Sequence, residues 1–103
     1  MASILACVAD LMLASRVKEI LTSSGYEVSL VSNLPEEVDA DLIVCDLDST
    51  DAVAVAALEP PSIGFYSHTD VDTRRRAVDA GVDLVIPRSR MVRELPQLVS
   101  GLL

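Results

Sequence analysis

The sequence predicts an α/β fold, a five-stranded parallel sheet covered by helices on both faces. Three observations lead there. Half of the 103 residues are hydrophobic but only 3% are aromatic, so the core has to be built from Ala, Val, Leu and Ile, which suits helices packed on buried parallel strands. Short continuous apolar runs recur along the chain, as expected of strands buried on both sides. Between them lie segments with apolar residues at helical spacing, and such an alternation with short right-handed crossovers closes into one parallel sheet. A chain of 11.0 kDa is one domain, 1–103, able to bury roughly 65% of its unfolded surface in a single core.

The elements follow in order. "SILACVAD" holds an apolar run from Ile4 to Val8 and stops at Asp10. "RVKEIL" then places Val17, Ile20 and Leu21 at i, i+3 and i+4, a helix that Gly25 ends. "YEVSLVS" is the second strand, and the acidic connector "NLPEEVDAD" has room for about two helical turns. "DLIVCD" is the third strand, four apolar residues from Leu42 to Cys45 ending at Asp46. "DAVAVAALEPP" reads as a short helix closed by Pro60 and Pro61, and "SIGFYSH" as the fourth strand. From Thr69 or Asp70 as N-cap, "VDTRRRAVDAG" makes the fourth helix, with Val71 and Val78 inward, the arginines outward and Gly81 at its end. "VDLVIP" is the fifth strand. In the last helix, "VRELPQLVSGLL", Leu95, Val99 and Leu102 repeat at helical spacing and Pro96 belongs in the first turn, where its missing N–H costs nothing.

Charge narrows the function classes. A net charge of −8 argues against a general nucleic-acid or anionic-membrane binder, because phosphate contacts need clustered Lys and Arg. Between Glu19 and Asp72 stand twelve acidic residues and no Lys or Arg, whereas Arg74, Arg75, Arg76, Arg88, Arg90 and Arg93 are six of the eight basic ones. Such a two-faced distribution is either a solvated helix surface or a basic docking surface for an acidic partner. Cys7 and Cys45 sit in apolar runs without metal-ligand spacing and read as small buried hydrophobes, in keeping with a cytoplasmic setting. "ILAC" is no secretory signal, since the six residues before Cys7 include no base, and no stretch is long enough to span a membrane.

In open parallel sheets, ligands bind beyond the carboxyl ends of the strands. Asp10 follows the first strand, Asp46 ends the third with Asp48 just beyond, Ser67 ends the fourth and Arg88 follows the fifth. Carboxylates meeting there suit Mg²⁺, a hard ion that prefers oxygen ligands, and a hydroxyl with a cation suits phosphoryl oxygens. The competing reading is an Asp46–Arg88 ion pair closing the top of the sheet. His68 reads as a loop histidine and Tyr66 as core. No glycine-rich phosphate loop is present.

The order of these residues resembles the receiver domain of two-component response regulators, across essentially the whole chain from Ile4 to Leu103. "RAVDAG" is similar to the family's Ala-Gly ending of the fourth helix, and counting on from Gly81 puts Arg88 at the family's lysine position; anchoring on Pro87 instead puts Ile86 there. The resemblance implies a flavodoxin-like three-layer sandwich of strand order 2-1-3-4-5, with shortened second and third helices. It implies Asp46 as phosphoacceptor in a phosphorelay, Ser67 and Arg88 as its catalytic companions, and a weak Mg²⁺ site at Asp10, Asp46 and Asp48. Departures are plain: Ala9 stands where the family has the first of two acids, Arg88 replaces lysine, and "LML" at Leu11 to Leu13 puts apolar bulk beside the metal loop. The expected function is a degenerate, stand-alone signalling module, not an enzyme, that binds a histidine kinase or a downstream signalling protein. Its expected contact surface is the fourth helix, fifth strand and last helix, with Met91 and Val92 as apolar centre; the same surface would serve a homodimer. The alternatives are a small ligand-binding protein using the strand-end crevice and an ordinary phosphorylatable response regulator.

Overall fold

The computed structural model describes residues 1–67 and 71–103. Strands β1 (Ser3–Cys7), β2 (Glu27–Val31), β3 (Leu42–Asp46), β4 (Ser62–Tyr66) and β5 (Leu84–Pro87) form one sheet of order β2-β1-β3-β4-β5, every pair parallel. The helices are α1 (Leu11–Ser23), α2 (Ala52–Ala56), α3 (Val71–Ala80) and α4 (Arg88–Leu102). Every residue of β3 and β4 is buried, whereas edge strand β2 is largely exposed. The continuous apolar runs have the cause expected of them, since the central strands are covered on both sides.

Successive side chains along a strand point to opposite faces, and the core divides accordingly. On one face Ile4, Ala6, Val44, Ile63, Phe65 and Ile86 pack with Val17 and Leu21 of α1 and with Met91, Leu95 and Val99 of α4. On the other, Cys7, Ile43 and Cys45 pack with Leu47, with Val55 of α2 and with Ala77 of α3. Helix α1 starts where Asp10 accepts hydrogen bonds from the N–H groups of Met12 and Leu13, at 2.9 and 3.1 Å. It stops at Gly25 (φ 92°), where Tyr26 N–H donates back to the carbonyl of Leu21 at 3.1 Å. Gly81 (φ 100°) ends α3 in the same way, Val82 N–H reaching the carbonyl of Ala77 at 3.2 Å. Only glycine takes this left-handed backbone at no steric cost.

The structure differs from the sequence reading at three elements. No helix joins β2 to β3: the connector stays irregular, lays half-buried Leu34 and Val38 on the second core and is pinned where Ser3 N–H donates to Asp41 Oδ2 at 2.8 Å. Two turns carrying Pro35 and three uncompensated acids do not repay the cost of starting a helix. Helix α4 begins at Arg88, so Pro96 lies in its interior. The stripe of Met91, Leu95 and Val99, all fully buried, outweighs the hydrogen bond that Pro96 removes. In α3, Val71 and Val78 are 63% and 51% exposed; Thr73 and Ala77 face inward instead. These smaller residues let α3 approach α2. Thr69, Asp70 and His68, with the readings placed on them, lie outside the described residues.

Candidate functional site

The sheet brings Asp46, Asp48, Ser67 and Arg88 to its carboxyl end, with Asp10 beyond β1. Asp46 is the last residue of β3, in register with Phe65 of β4, and is 4% exposed. Its Oδ1 accepts from the N–H of Asp48 at 3.0 Å, and its carbonyl accepts from the N–H of Thr50 at 2.9 Å and of Ser49 at 3.2 Å. The chain after β3 therefore folds back over the carboxylate as a tight turn. Burial pushes the Asp46 carboxyl above the usual carboxylate range and the charge of Asp48 adds to this, while the Asp48 N–H, Arg88 and Ser49 pull the other way. Desolvation is the largest effect, since almost no solvent reaches the carboxylate to stabilise its charged form.

Arg88 does not pair with Asp46. Its guanidinium lies 3.7 Å from Asp48 Oδ2, both side chains partly in solvent, and reaches Asp46 only as a more distant favourable charge. As the first residue of α4, Arg88 extends along the rim, where a pair with Asp48 keeps both charges hydrated and a pair with buried Asp46 would not. Ser67 follows β4 at the same end and is half-buried. Ile86, the other claimant to the lysine position, is 2% exposed and belongs to the core.

The carboxylates are already engaged within the chain. Asp10 is exposed and spends Oδ1 on the first turn of α1, Asp48 faces Arg88, and Ala9 contributes no ligand. Among the described residues, no three His, Cys, Asp or Glu side chains gather closely enough to hold a metal ion. Binding Mg²⁺, which takes one or two carboxylates, would draw Asp10 from its cap or Asp48 from Arg88.

Sequence reasoning missed the turn at Leu47 to Thr50. Leu47 is buried over Gly64, where an added Cβ would stand 2.6 Å from Leu47 Cδ1, and Thr50 Oγ1 lies 3.6 Å from Cys7 Sγ. The readable signal was "DST", polar residues that fold back on their own backbone. Cys7 and Cys45 are register neighbours on β1 and β3 and both are buried free thiols, as their sequence context indicates. Burial, then the neighbouring Cys7 and Asp46, pushes the Cys45 thiol up to about 12, so it stays protonated and inert. A cavity of about 440 Å³ opens between α2 and α3, lined by Leu47, Thr50, Asp51, Val53, Thr73 and Arg76.

The arginine-bearing side consists of α3, β5 and α4. Arg74, Arg75, Arg76, Arg88, Arg90 and Arg93 are all exposed, and Arg90 Nε holds Glu94 Oε2 at 2.9 Å. Met91 cannot serve as the apolar centre of this surface, because it is fully buried among α4's core contacts. The exposed apolar residues there are Val71 and Val78.

No protein-family model matches the sequence, and no curated protein matches it. Solved structures do. The Francisella response regulator 1452 receiver domain superposes with a TM-score of 0.82 at 16% identity, covering 99% of this chain and 96% of that one. The receiver domain of the TMAO respiratory system response regulator TorR gives 0.84 at 20% identity, covering 99% and 96%. Chemotaxis response regulator CheY4 of Vibrio cholerae gives 0.81 at 17% identity, covering 100% and 99%. The resemblance read from the strand-end residues is thus a likeness of the whole fold, in the same strand order and over nearly the whole length of each chain.

Proposed function

We propose that this chain, with the fold of response regulator receiver domains, is a degenerate signalling module that acts through protein–protein contact. One observation carries the reading: the strand-end carboxylates are committed internally, Asp10 to a helix cap and Asp48 to Arg88, while Asp46 is buried. A carboxylate attacks phosphorus in its ionised form, and burial opposes that form at Asp46. The cation that would meet incoming phosphoryl oxygens is turned toward Asp48. Its planar guanidinium also differs in shape and reach from a lysine ammonium. The contact surface is the side formed by α3, β5 and α4, open to a histidine kinase, a downstream signalling protein or a second copy of the chain.

A second reading, phosphorylation of Asp46 as in an ordinary response regulator, draws on the gathering of Asp46, Ser67 and Arg88 at one end of the sheet. The test separates them. Titration with beryllofluoride or acetyl phosphate plus Mg²⁺, followed by NMR, is expected to leave the signals of Asp46, Ser67 and Arg88 in place, with weak Mg²⁺ binding that Ala9→Asp strengthens by adding a free carboxylate. Saturable, tight Mg²⁺ binding by the unaltered chain, or large shifts at these residues, would install the second reading.

A further inference from the structure

We infer that the partner of the arginine-bearing side is a second copy of this chain, bound head to tail against its acidic edge. The inference rests on the contact reading above and names its partner. It does not depend on what the strand-end crevice binds.

The strand order places β2 and β5 at opposite edges of the sheet, four strand spacings or roughly 19 Å apart. At the β2 edge Glu27 is exposed, and the connector after β2 adds exposed Glu36, Glu37 and Asp39, with Glu37 and Asp39 passing over Ser3, Leu5 and Ser29 of β1 and β2. No Lys or Arg occurs between Glu27 and Asp51. At the β5 edge six arginines face three aspartates between Val71 and Arg93. Only two ion pairs form among the described residues, Arg88–Asp48 and Arg90–Glu94, so Arg74, Arg75 and Arg93 present their charge outward at this edge, while Arg76 lines the cavity between α2 and α3 with Asp51 and Asp79. A net charge of −8 therefore conceals a molecule polarised along its strand order.

The polarity selects the geometry. Pairing the arginine-bearing side with itself about a two-fold axis opposes like charges, as does pairing two acidic edges; only the heterologous arrangement sets each against its complement. Charge alone supplies steering more than affinity, and a contact needs a desolvated centre. Val71 and Val78, seven residues apart and flanking Arg74 and Arg75, share one exposed face of α3. On the opposite edge Leu30 of β2 is 39% exposed, on the α1 face of the sheet, while the acidic connector lies on the other face. Strand β5 is only four residues long and ends in Pro87, so the contact is made by helix side chains and not by extending the sheet. Because each bound copy still offers one free edge, the contact repeats into short open chains, which the net charge of each copy limits.

The test is sedimentation of the full chain at low ionic strength, across a concentration series, without Mg²⁺ or phosphodonor. One variant carries Arg74→Ala, Arg75→Ala and Arg76→Ala, and another Glu36→Gln, Glu37→Gln and Asp39→Asn; all six positions are exposed, and circular dichroism checks that both variants are folded. The unaltered chain is expected to grow with concentration and to dissociate as salt screens the edges over about 8 Å. Each variant alone is expected to associate more weakly by about tenfold or more. An equimolar mixture of the two is expected to form a dimer that grows no further, since one variant keeps its acidic edge and the other its arginines. A mixture that stays monomeric while the unaltered chain associates overturns the head-to-tail arrangement, as does association that neither variant weakens. A monomeric unaltered chain overturns the second-copy partner, while the contact reading still answers to its own phosphodonor titration.

Discussion

Asp46 sits where solvent is nearly excluded, yet it keeps a hydrogen bond from Asp48 N–H that favours charge. Desolvation dominates, so its folded pKa lies above its unfolded value. The neutral acid then favours the folded state at low pH, and that contribution is lost as pH rises through the raised value. Asp46→Asn retains an oxygen for Asp48 N–H and removes the charge. It is expected to be more stable than the unaltered chain at neutral pH, by a margin that shrinks as pH falls through the carboxylate range. Urea unfolding at neutral and mildly acidic pH measures this, and an equal margin at both counts against it. Arg88 is a second case. Its 3.7 Å pair with Asp48 is partly exposed, and such pairs contribute little after screening and side-chain entropy. A double-mutant cycle of Arg88→Ala with Asp48→Ala should give a coupling of about 0.5 kcal/mol. A larger coupling of Arg88 to Asp46 would restore the pairing expected from sequence.

At the level of elements, Asp10 is the cap of a helix at a position that the sequence offered only as a metal ligand. As the cap of α1 it should tolerate Asn, whose side-chain oxygen accepts the same hydrogen bonds, while Asp10→Ala should cost about 1 kcal/mol in thermal unfolding. Equal stability of the Ala and Asn variants would deny the cap. The strands were legible because an unbroken apolar run such as Leu42 to Cys45 has few uses other than a doubly covered strand. Gly25 and Gly81 marked helix ends for the equally local reason of a left-handed backbone. What sequence could not convey depends on contacts between distant segments. Pro96 enters a helix interior because core packing around Met91, Leu95 and Val99 outweighs a local rule, and Val71 faces solvent because α3 turns its smaller residues toward α2. Within the site, the gathering of Asp46, Ser67 and Arg88 at one end followed from strand order. The choice of Asp48 by Arg88 did not, since a long side chain selects its partner by reach and hydration.

For the molecule as a whole, sixteen carboxylate side chains against eight bases make self-repulsion the leading electrostatic effect. The two ion pairs among the described residues are both partly exposed and offset little of it. Added salt is therefore expected to raise the melting temperature of the dilute protein by a few degrees between about 0.01 and 0.15 M, as the Debye length contracts from about 30 to 8 Å. A fall over that range would mean that attraction, not repulsion, governs the folded state.

The neighbouring thiols of Cys7 and Cys45 have one more consequence. They lie on adjacent inner strands with less than a few per cent of their surface open, and the Cys45 thiol is held near 12. Thiol-directed reagents need an exposed thiolate, so they meet these side chains only when the sheet comes apart. The native sequence thus contains its own clock for global opening, readable by mass spectrometry as the rate at which paired labels appear, with no probe to be engineered.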